Sequence, residues 1–402
     1  MNKKTKRQTL ITFYFIFVLF GLSIIIIDPL IPIIAEGIDV GFDRIGIALF
    51  IGSIAALIAN FIAGRLSDRV DIKKLVLLGL FFLFLGFALF GTYLNFIIFI
   101  IVTIFLRIGF GTIDTSVHAF SSKLFKKDMS SIFLKLDIAW YSGAVMGPLV
   151  ISGILYFEFL PGYFFLILAF VYLVFIAVFY KICPKKKILD NNSSQNKNIP
   201  GSHENSLRIL KDPAVIMGSL ILFFFMGSIM GLSTWMTTYF LSFGIRVAYG
   251  SAILSAYWLF SIIGMIVATG LVAKYKEINI LFYSCLAGIT CLAIFSFIPF
   301  VYIKIAALSL QAIFFAAIFP LTNAIAANRD PKNSGTILGF TIAFAFAGSI
   351  VFQPLYGYIA EYFGREYIAY IALGGTLIGF IFVSMLFGIL KKEHNRRSVW
   401  SP

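Results

Sequence analysis

Long apolar runs, each about as long as a bilayer is thick, recur along the whole chain. A helix needs about 20 mostly apolar residues to cross the hydrocarbon core. Runs of that kind lie near residues 10–33, 43–63, 75–93, 96–120, 131–155, 162–182, 213–241, 248–272, 280–298, 302–326, 334–357 and 367–389. Backbone groups cannot stay unpaired in lipid, so each run should be helical. The chain is therefore predicted to be an all-α polytopic membrane protein with twelve transmembrane helices.

The charge of the chain raises a competing interpretation. A net charge of +14 suggests nucleic-acid binding. The basic residues, however, fall in short clusters between apolar runs and form no single basic face. Only 12% of residues are charged, whereas a soluble protein needs roughly a quarter. A lipid bilayer is therefore the expected environment, and no nucleic-acid partner is expected.

The distribution of Lys and Arg predicts the orientation in the membrane. With twelve spans, nearly all of the 32 basic residues lie in segments on the side of the N-terminus. On the opposite side lie Arg44, Arg246, Lys304 and Arg365, and Arg107 lies inside a span. The positive-inside rule then predicts a cell-membrane protein with both termini in the cytoplasm.

A long polar segment and weak internal repeats predict two halves. "GRLSDRVDIK" at 64–73 is similar to "GLVAKYKEIN" at 270–279, and "GPL" at 147–149 to "QPL" at 353–355. Duplicated halves of this kind place a substrate site near the midplane. The predicted division is a six-helix half at 1–182, a flexible cytoplasmic linker at 183–212, a second six-helix half at 213–390 and a tail at 391–402.

The loop between the second and third runs, "GRLSDRVDIKK", resembles the signature loop of the major facilitator superfamily. The matching residues are Gly64, Leu66, Asp68, Arg69, Lys73 and Lys74. Asp71 stands where the family usually has Gly. The resemblance implies two pseudo-symmetric six-helix halves and secondary transport by alternating access. It also implies a gating role for this loop, in which Asp68 meets the start of the eleventh helix near 333–335.

Three titratable residues share one face of the fourth span. Arg107, Asp114 and His118, together with Gly111, recur at helical spacing. A charge at the bilayer centre costs at least ~2.5–3.5 kcal/mol, so such groups face water or each other. We expect Asp114 and His118 to share a proton under the influence of Arg107. Arg-x-x-x-Gly at 107–111 also resembles the family's fourth-helix motif, whose arginine is associated with proton coupling. The alternative is a static ion network that holds helices together.

A further acid lies in the first span. Asp28 in "SIIIIDPLIP" is flanked by Pro29 and Pro32, which loosen the helix. A lone acid in a span is a candidate for proton or substrate binding. The alternative is a hydrated position near the outer interface. Asp137 in the fifth span is a weaker candidate, since Lys135 indicates the cytoplasmic end.

Aromatic and amide side chains inside the spans are candidates for a substrate cavity. They are Trp140, Tyr141, Trp235, Tyr239, Tyr257, Gln311, Asn323 and Gln353. The alternative for each aromatic residue is a lipid-facing or interfacial position.

Two partial motifs leave the substrate open. "GLSTWMTTYF" at 231–240 resembles the seventh helix of the fucose–glucose branch but lacks the acid that commonly precedes this Trp. "GAVMGP" at 143–148 partly resembles the fifth-helix motif of drug–proton antiporters, and ordinary helix packing explains it nearly as well. Uptake of a sugar or other polar nutrient by symport and export of amphipathic compounds by antiport therefore both remain open.

Catalytic and cofactor signatures are scarce. The sequence has no Walker lysine loop, no HExxH and no CxxC. Cys183, Cys285 and Cys291 have no metal-ligand spacing. We therefore expect a monomeric transporter of a small molecule, with no enzymatic activity, cofactor or metal, that is energised by a proton gradient rather than ATP. A non-transporting membrane sensor is a remote alternative.

Overall fold

The computed structural model describes residues 3–67, 70–92, 94–124, 129–159, 161–182, 210–330 and 334–399. These residues form helices joined by short connections. Within this part of the chain, twelve stretches are long and apolar enough to cross a membrane. The predicted all-α architecture with twelve spans is thus confirmed, and we number the spans in chain order.

Ten spans are single α-helices and two are interrupted. Spans 2–9 are Phe42–Leu66, Ile72–Phe90, Phe96–Leu124, Met129–Tyr156, Pro161–Ile182, Pro213–Leu241, Val247–Val272 and Glu277–Phe297; spans 11 and 12 are Ser334–Tyr362 and Ile368–Val399. The helices of spans 4, 5, 11 and 12 run beyond their apolar stretches, which are Phe96–His118, Lys135–Tyr156, Ile337–Tyr362 and Arg365–Glu393.

The two interrupted spans are the first and the tenth. Span 1 consists of helix Lys3–Ile25, a 3-10 turn at Asp28–Leu30 and helix Ile31–Gly37. Span 10 consists of helices Val301–Phe315 and Ile318–Ala327, which are separated by a short turn. Pro29 lies within the 3-10 turn of the first break, and proline cannot donate the hydrogen bond that a continuous helix needs. Both breaks free backbone groups and change the direction in which neighbouring side chains point.

Residue contacts divide the chain into two compact units. The first contains spans 1–6 together with residues 236–255, and the second contains residues 210–235 and 256–399 of the described chain. The predicted linker at 183–212 lies almost wholly outside the described residues. Each unit is described below by itself.

Glycines allow close helix packing in the first unit. A Cβ added to Gly143 of span 5 would collide with the backbone oxygen of Val18 in span 1, and one added to Gly21 would collide with that of Trp140. Gly147 lies against Leu22 in the same way, with 2.8 Å between the added Cβ and the carbonyl oxygen. Small residues at the spacing of "GAVMGP" therefore hold span 5 against span 1.

Span 7 packs closely against span 11 in the second unit. A side chain at Gly348 would collide with the backbone of Phe223, and Gly231 lies under the ring of Tyr356. The hydroxyl of Tyr356 donates to the Ser228 carbonyl at 2.9 Å. These contacts set the two helices parallel and level with each other.

An ion network closes one end of the second unit. Arg329, which follows span 10, donates to Glu393 at 2.7 Å and to Asp212 at 3.2 Å. Hydrogen bonding to Glu393, and then to Asp212, raises the pKa of Arg329 above its ordinary value. Asp212 also accepts from the Ala214 amide at 2.8 Å and so caps span 7. This end thus ties three spans together.

The close approach at Gly143 leads to a prediction about stability. We expect Gly143→Val to unfold at a lower temperature, because overpacking of a tight site costs typically ~1–3 kcal/mol and here the clash is with backbone. Gly153→Val, on the same helix with no atom within 4 Å of its added Cβ, is the matched control. Thermal unfolding of the purified protein in detergent is the measurement. Equal unfolding temperatures for the two variants would contradict the packing.

Candidate functional site

A buried acid and a half-buried base interact electrostatically in the first unit. Asp28 lies at the break of span 1 and is 4% exposed. Arg107 lies halfway along the apolar stretch of span 4 and interacts electrostatically with Asp28. Each charge alone would be costly in hydrocarbon. The attraction between the two opposite charges offsets that cost and stabilises the ionised form of each residue. The predicted proton-coupling residues Asp28 and Arg107 thus form one group.

A small cavity opens beside this pair. Its lining consists of Ser23, Ile24, Ile27, Asp28, Leu49, Leu83, Thr103, Leu106 and Arg107. The space for the centre of a water molecule is about 20 Å³, which suits about one water. The cavity therefore has room for a proton carrier such as a water molecule, but not for a sugar-sized solute.

Hydrogen bonds fix the polar wall of the cavity. Tyr172 of span 6 donates its hydroxyl hydrogen to the Leu19 carbonyl at 3.1 Å. A phenol has one hydrogen, so Ser23 must donate to the Tyr172 oxygen. Thr103 donates to backbone carbonyls of Ala48 and Ile100. The hydroxyls near Asp28 are thus already committed to protein acceptors.

A second titratable group lies further along span 4. The Nδ1 atom of His118 is 2.9 Å from the Asp114 carbonyl oxygen and 3.3 Å from its carboxylate. Asp137 of span 5 interacts electrostatically with both residues. Two carboxylates therefore surround one imidazole, and the group can hold or release a proton without creating an isolated charge.

The titratable residues of span 4 therefore belong to two separate groups, Arg107 with Asp28 and His118 with Asp114. The sequence predicts that Arg107 acts on Asp114, whereas the charge that faces Arg107 in the structure is Asp28. The break in span 1 brings Asp28 towards Arg107, and no spacing rule within span 4 contains that information. Asp137, a weaker candidate from sequence, interacts electrostatically with Asp114 and His118 and belongs to their group.

Three phenyl rings lie between the two groups. The ring of Phe17 meets His118 with centroids 5.4 Å apart, Phe17 meets Phe20 at 5.6 Å, and Phe20 stacks on Phe110 at 4.5 Å. Spans 1 and 4 are antiparallel. Asp28 lies eleven residues after Phe17 in span 1, and Arg107 lies eleven residues before His118 in span 4. Because the spans are antiparallel, both offsets run in the same direction. About 16 Å of helix therefore separates the groups, and Phe17, Phe20 and Phe110 form an aromatic cluster between them.

The predicted cavity residues fall in both units. In the first, Trp140 meets Tyr141 edge to face at 5.2 Å, and Tyr239 meets Phe243 at 5.1 Å. In the second, Tyr257 meets Trp258 at 5.6 Å. These aromatic residues pack against their neighbours in sequence.

The predicted amides of the second unit are all buried. The Trp235 indole donates to the Gln353 oxygen at 3.1 Å, and the Gln353 nitrogen donates to Thr234 at 3.3 Å. Asn323 accepts from Thr341 at 2.6 Å. Gln311 is fully buried, and neither atom of its amide has a hydrogen-bond partner among the described residues.

Comparison with known families decides the identity of the fold. The family model described as Major Facilitator Superfamily matches residues 13–340. The chain belongs to this superfamily. It is a secondary transporter with twelve membrane spans rather than an enzyme, and the resemblance predicted from the signature loop is confirmed.

Several relatives share this fold at low sequence identity. An uncharacterized transporter of Buchnera aphidicola is 28% identical over 193 residues, which is 46% of this chain and 48% of that protein. The match thus spans about half the length of the curated relative. A bacterial homologue of the human lysosomal transporter Spinster is 12% identical, with a TM-score of 0.74 over 100% of both chains.

Two solved transporters with named substrates are also similar. The nucleoside transporter NupG is 15% identical, with a TM-score of 0.74 over 96% of this chain and 99% of the other. The Escherichia coli fucose:proton symporter is 17% identical, with a TM-score of 0.62 over 94% of this chain and 98% of the other. At such identities the similarity establishes the fold alone.

One lysine of the superfamily's signature loop is buried and connects two spans of this transporter. Asp68 and Arg69, the predicted gating residues, lie outside the described residues. Lys73 is 6% exposed and donates to the Tyr180 carbonyl at 2.6 Å, with its ammonium 4.7 Å from the Tyr180 ring centre. It thereby joins the start of span 3 to the end of span 6.

The remaining loop residues have local roles. Asp71 replaces the family's usual Gly and caps span 3, where it accepts from the Lys73 amide at 3.1 Å. Gly64 lies near Thr115 of span 4, with 3.7 Å between its added Cβ and the threonine methyl. Lys74 is exposed. Position 71, where the family usually has Gly, therefore supplies a helix cap in this chain.

The buried lysine leads to a second prediction. Lys73→Met should destabilise the transporter by roughly 1–3 kcal/mol, because a charge-assisted hydrogen bond is lost and the Tyr180 carbonyl is left without it. Lys74→Met, an identical change at the next and exposed position, should have little effect. Chemical or thermal unfolding in detergent compares them; a larger loss in Lys74→Met would refute the role of Lys73.

Proposed function

We propose that the transporter is proton-coupled and that Asp28, paired with Arg107, is the carboxylate whose protonation drives alternating access. The observation that carries this proposal is the burial of Asp28 at a helix break, where it interacts electrostatically with Arg107 and lines the same cavity of water size.

Protonation of Asp28 alters the balance of charge in the first unit. While Asp28 is ionised, its attraction to Arg107 stabilises the arrangement described here. When Asp28 is neutral, Arg107 loses its counter-charge and the same arrangement becomes unfavourable. A two-state transporter would then shift towards the conformation in which Arg107 finds another partner or water. Proton binding is thereby converted into a conformational bias.

The Asp114–His118–Asp137 group supplies a second place for a proton. Its side chains are partly exposed, at 32% for Asp114 and 27% for His118. These residues lie at one end of the apolar stretches of spans 4 and 5. The group is therefore suited to exchange protons with water at that end. We assign Asp28 the coupling role and Asp114 and His118 the exchange role.

The aromatic cluster separates the two proton-binding groups. Phe17 and Phe20 are each 1% exposed, and phenyl rings offer no strong acceptor for a proton. A proton can pass between the groups only if the rings move and water enters. The cluster thus couples proton passage to a change in conformation, which a coupled transporter needs to avoid a leak.

The proposal also covers the orientation of the transporter and the membrane in which it lies. Segments rich in Lys and Arg on the side of the N-terminus support cytoplasmic termini and insertion in the cell membrane. With that orientation, span 4 ends at the cytoplasmic side and the Asp114–His118 group exchanges protons with the cytoplasm. The fucose:proton symporter, which shares the fold, is named for coupling of this kind.

The substitution Asp28→Asn tests the proposal. In proteoliposomes, the variant should lose solute accumulation driven by a pH gradient, because its side chain can no longer take up a proton. Counterflow exchange, which needs no net proton movement, should persist. Asp39→Asn is the matched control, since Asp39 is exposed and has a φ of 52°, which Asn also tolerates. Undiminished pH-driven accumulation in Asp28→Asn would refute the assignment.

The aromatic cluster leads to a separate prediction. Phe20→Leu should let protons cross without solute and so lower the ratio of solute to protons, because one ring of the stack is removed while an apolar side chain remains. Phe15→Leu on the same span is the control, as Phe15 is 58% exposed. Proton flux is measured with a pH-sensitive dye in vesicles. A leak equal to that of the control would show that the rings do not limit proton passage.

A further inference from the structure

We propose that the neighbouring ends of spans 9 and 12 bind the headgroup of an anionic phospholipid. The binding surface consists of four exposed lysines, which we call the lysine patch: Lys274, Lys276, Lys391 and Lys392. The inference concerns a lipid that stays on the surface of the transporter, not the solute that it carries. It therefore does not depend on the coupling role of Asp28.

The lysines come from two segments of the second unit that lie side by side. Lys274 and Lys276 belong to the turn at 273–276 between spans 8 and 9. Lys391 and Lys392 lie near the end of span 12. Spans 9 and 12 pack against each other and run antiparallel, so the start of span 9 lies beside the end of span 12.

Two contacts fix the register of these antiparallel spans. The Ser296 hydroxyl donates to the Ala369 carbonyl at 3.4 Å. Further along, the ring of Phe282 lies between two rings of span 12, with centroids 5.3 Å from Phe380 and 4.8 Å from Phe387. Fourteen residues separate the two contacts in span 9, and the same number leads from Ala369 to the middle of the 380–387 segment. The two contacts therefore agree on one register.

The same register brings the four lysines to one level. Lys274 lies eight residues before Phe282, and Lys391 lies eight residues after position 383, which is level with Phe282. Lys276 and Lys392 are each within two residues of one of these lysines, and two helical residues add only about 3 Å of rise. The lysine patch thus lies at a single depth on two adjacent segments.

The depth of the lysine patch matches the headgroup region of a bilayer. At the opposite end of the same spans, the exposed rings of Phe297 and Tyr370 meet at 5.5 Å, and aromatic residues are enriched at membrane interfaces. Lys391 follows Tyr370 by twenty-one residues, or about 31 Å of helix, and the hydrocarbon core is about 30 Å thick. With the aromatic end at one interface, the lysine patch therefore reaches the other.

Each span also has an exposed apolar face that leads to a lysine. On span 12, Ile381 and Met385 are exposed, and Lys392 follows them at helical spacing on the same face. On span 9, the exposed side chain of Tyr283 lies two turns from Lys276 on one face. A phospholipid whose acyl chains cover these side chains has its phosphate at the depth of the lysines.

The acids at this end do not cancel the charge of the lysine patch. Glu393 accepts from Arg329 at 2.7 and 2.9 Å, so its charge is engaged by another cation. Of the described residues of spans 9 and 12, Glu277 in the first turn of span 9 is the other carboxylate at this level. The net charge of the lysine patch therefore stays positive, which favours a lipid with net negative charge over a zwitterionic one.

Lipid binding to the purified transporter tests this inference. Dioleoyl phosphatidylglycerol, dioleoyl phosphatidylcholine and inorganic phosphate are each titrated into delipidated protein in detergent, and native mass spectrometry measures the bound lipid. We expect phosphatidylglycerol to bind at least about tenfold more tightly than phosphatidylcholine, because the acyl chains are the same and only phosphatidylglycerol has a net charge. Inorganic phosphate, which has no acyl chains, should not displace phosphatidylglycerol at the same concentration.

A pair of double variants separates the lysine patch from positive charge in general. Lys274→Gln with Lys391→Gln removes one lysine from each segment and should weaken phosphatidylglycerol binding by at least about tenfold. Lys181→Gln with Lys211→Gln removes two exposed lysines at the end of span 6 and the start of span 7. This control should keep the affinity of the unmodified protein.

Four results would overturn the inference. They are equal affinity for the two lipids, displacement of phosphatidylglycerol by inorganic phosphate, unchanged affinity in the patch variant, and an equal fall in the control variant. If Lys274→Gln with Lys391→Gln unfolds at a lower temperature than the unmodified protein, Lys276→Gln with Lys392→Gln takes its place with the same expected fall. The measurement uses neither solute nor pH gradient, so its result is independent of the transport test of Asp28.

Discussion

The electrostatic interaction of Asp28 with Arg107 is the constraint on which the proposed coupling mechanism depends. Each charge alone would cost at least ~2.5–3.5 kcal/mol at the bilayer centre. Together they are tolerable, but only in the arrangement that keeps them adjacent. A pair of this kind contributes little net stability, yet it makes the arrangement sensitive to a single proton. The break in span 1 is part of the same device, because it brings the carboxylate towards span 4.

The helical period predicts which residues share a face, but it does not identify their partners. The length of the apolar runs is enough to predict the spans. Spacing alone then places Arg107, Asp114 and His118 on one face of span 4. The division of that face depends on Asp28 and Asp137, which come from spans 1 and 5. Partner choice across helices is set by tertiary packing, such as the contact of Gly143 with Val18. A single sequence carries no direct signal for that register.

The signature loop shows a similar limit. In the sequence, Asp71 stands where the family pattern usually has Gly. In the structure Asp71 caps span 3, and the neighbouring Lys73 reaches span 6. Both roles follow from ordinary rules of helix ends, namely that an acid stabilises an N-terminus and a cation stabilises carbonyls at a C-terminus. The helix cap at Asp71 can be predicted from sequence once the start of span 3 is known. The contact of Lys73 with span 6 cannot, because it depends on how the spans pack.

The two units differ in the kind of polar group that they bury, and this difference has a mechanistic consequence. The first unit buries the carboxylate of Asp28, which responds to protons, whereas the buried polar side chains in the middle of spans 7–12 are amides, hydroxyls and indoles, which do not. A solute held by neutral groups keeps its hydrogen bonds at any pH at which the protein is folded. Proton binding in the first unit could then change the conformation without weakening such hydrogen bonds. Coupling in such a transporter would arise from the conformational equilibrium alone, with no direct contact between proton and solute.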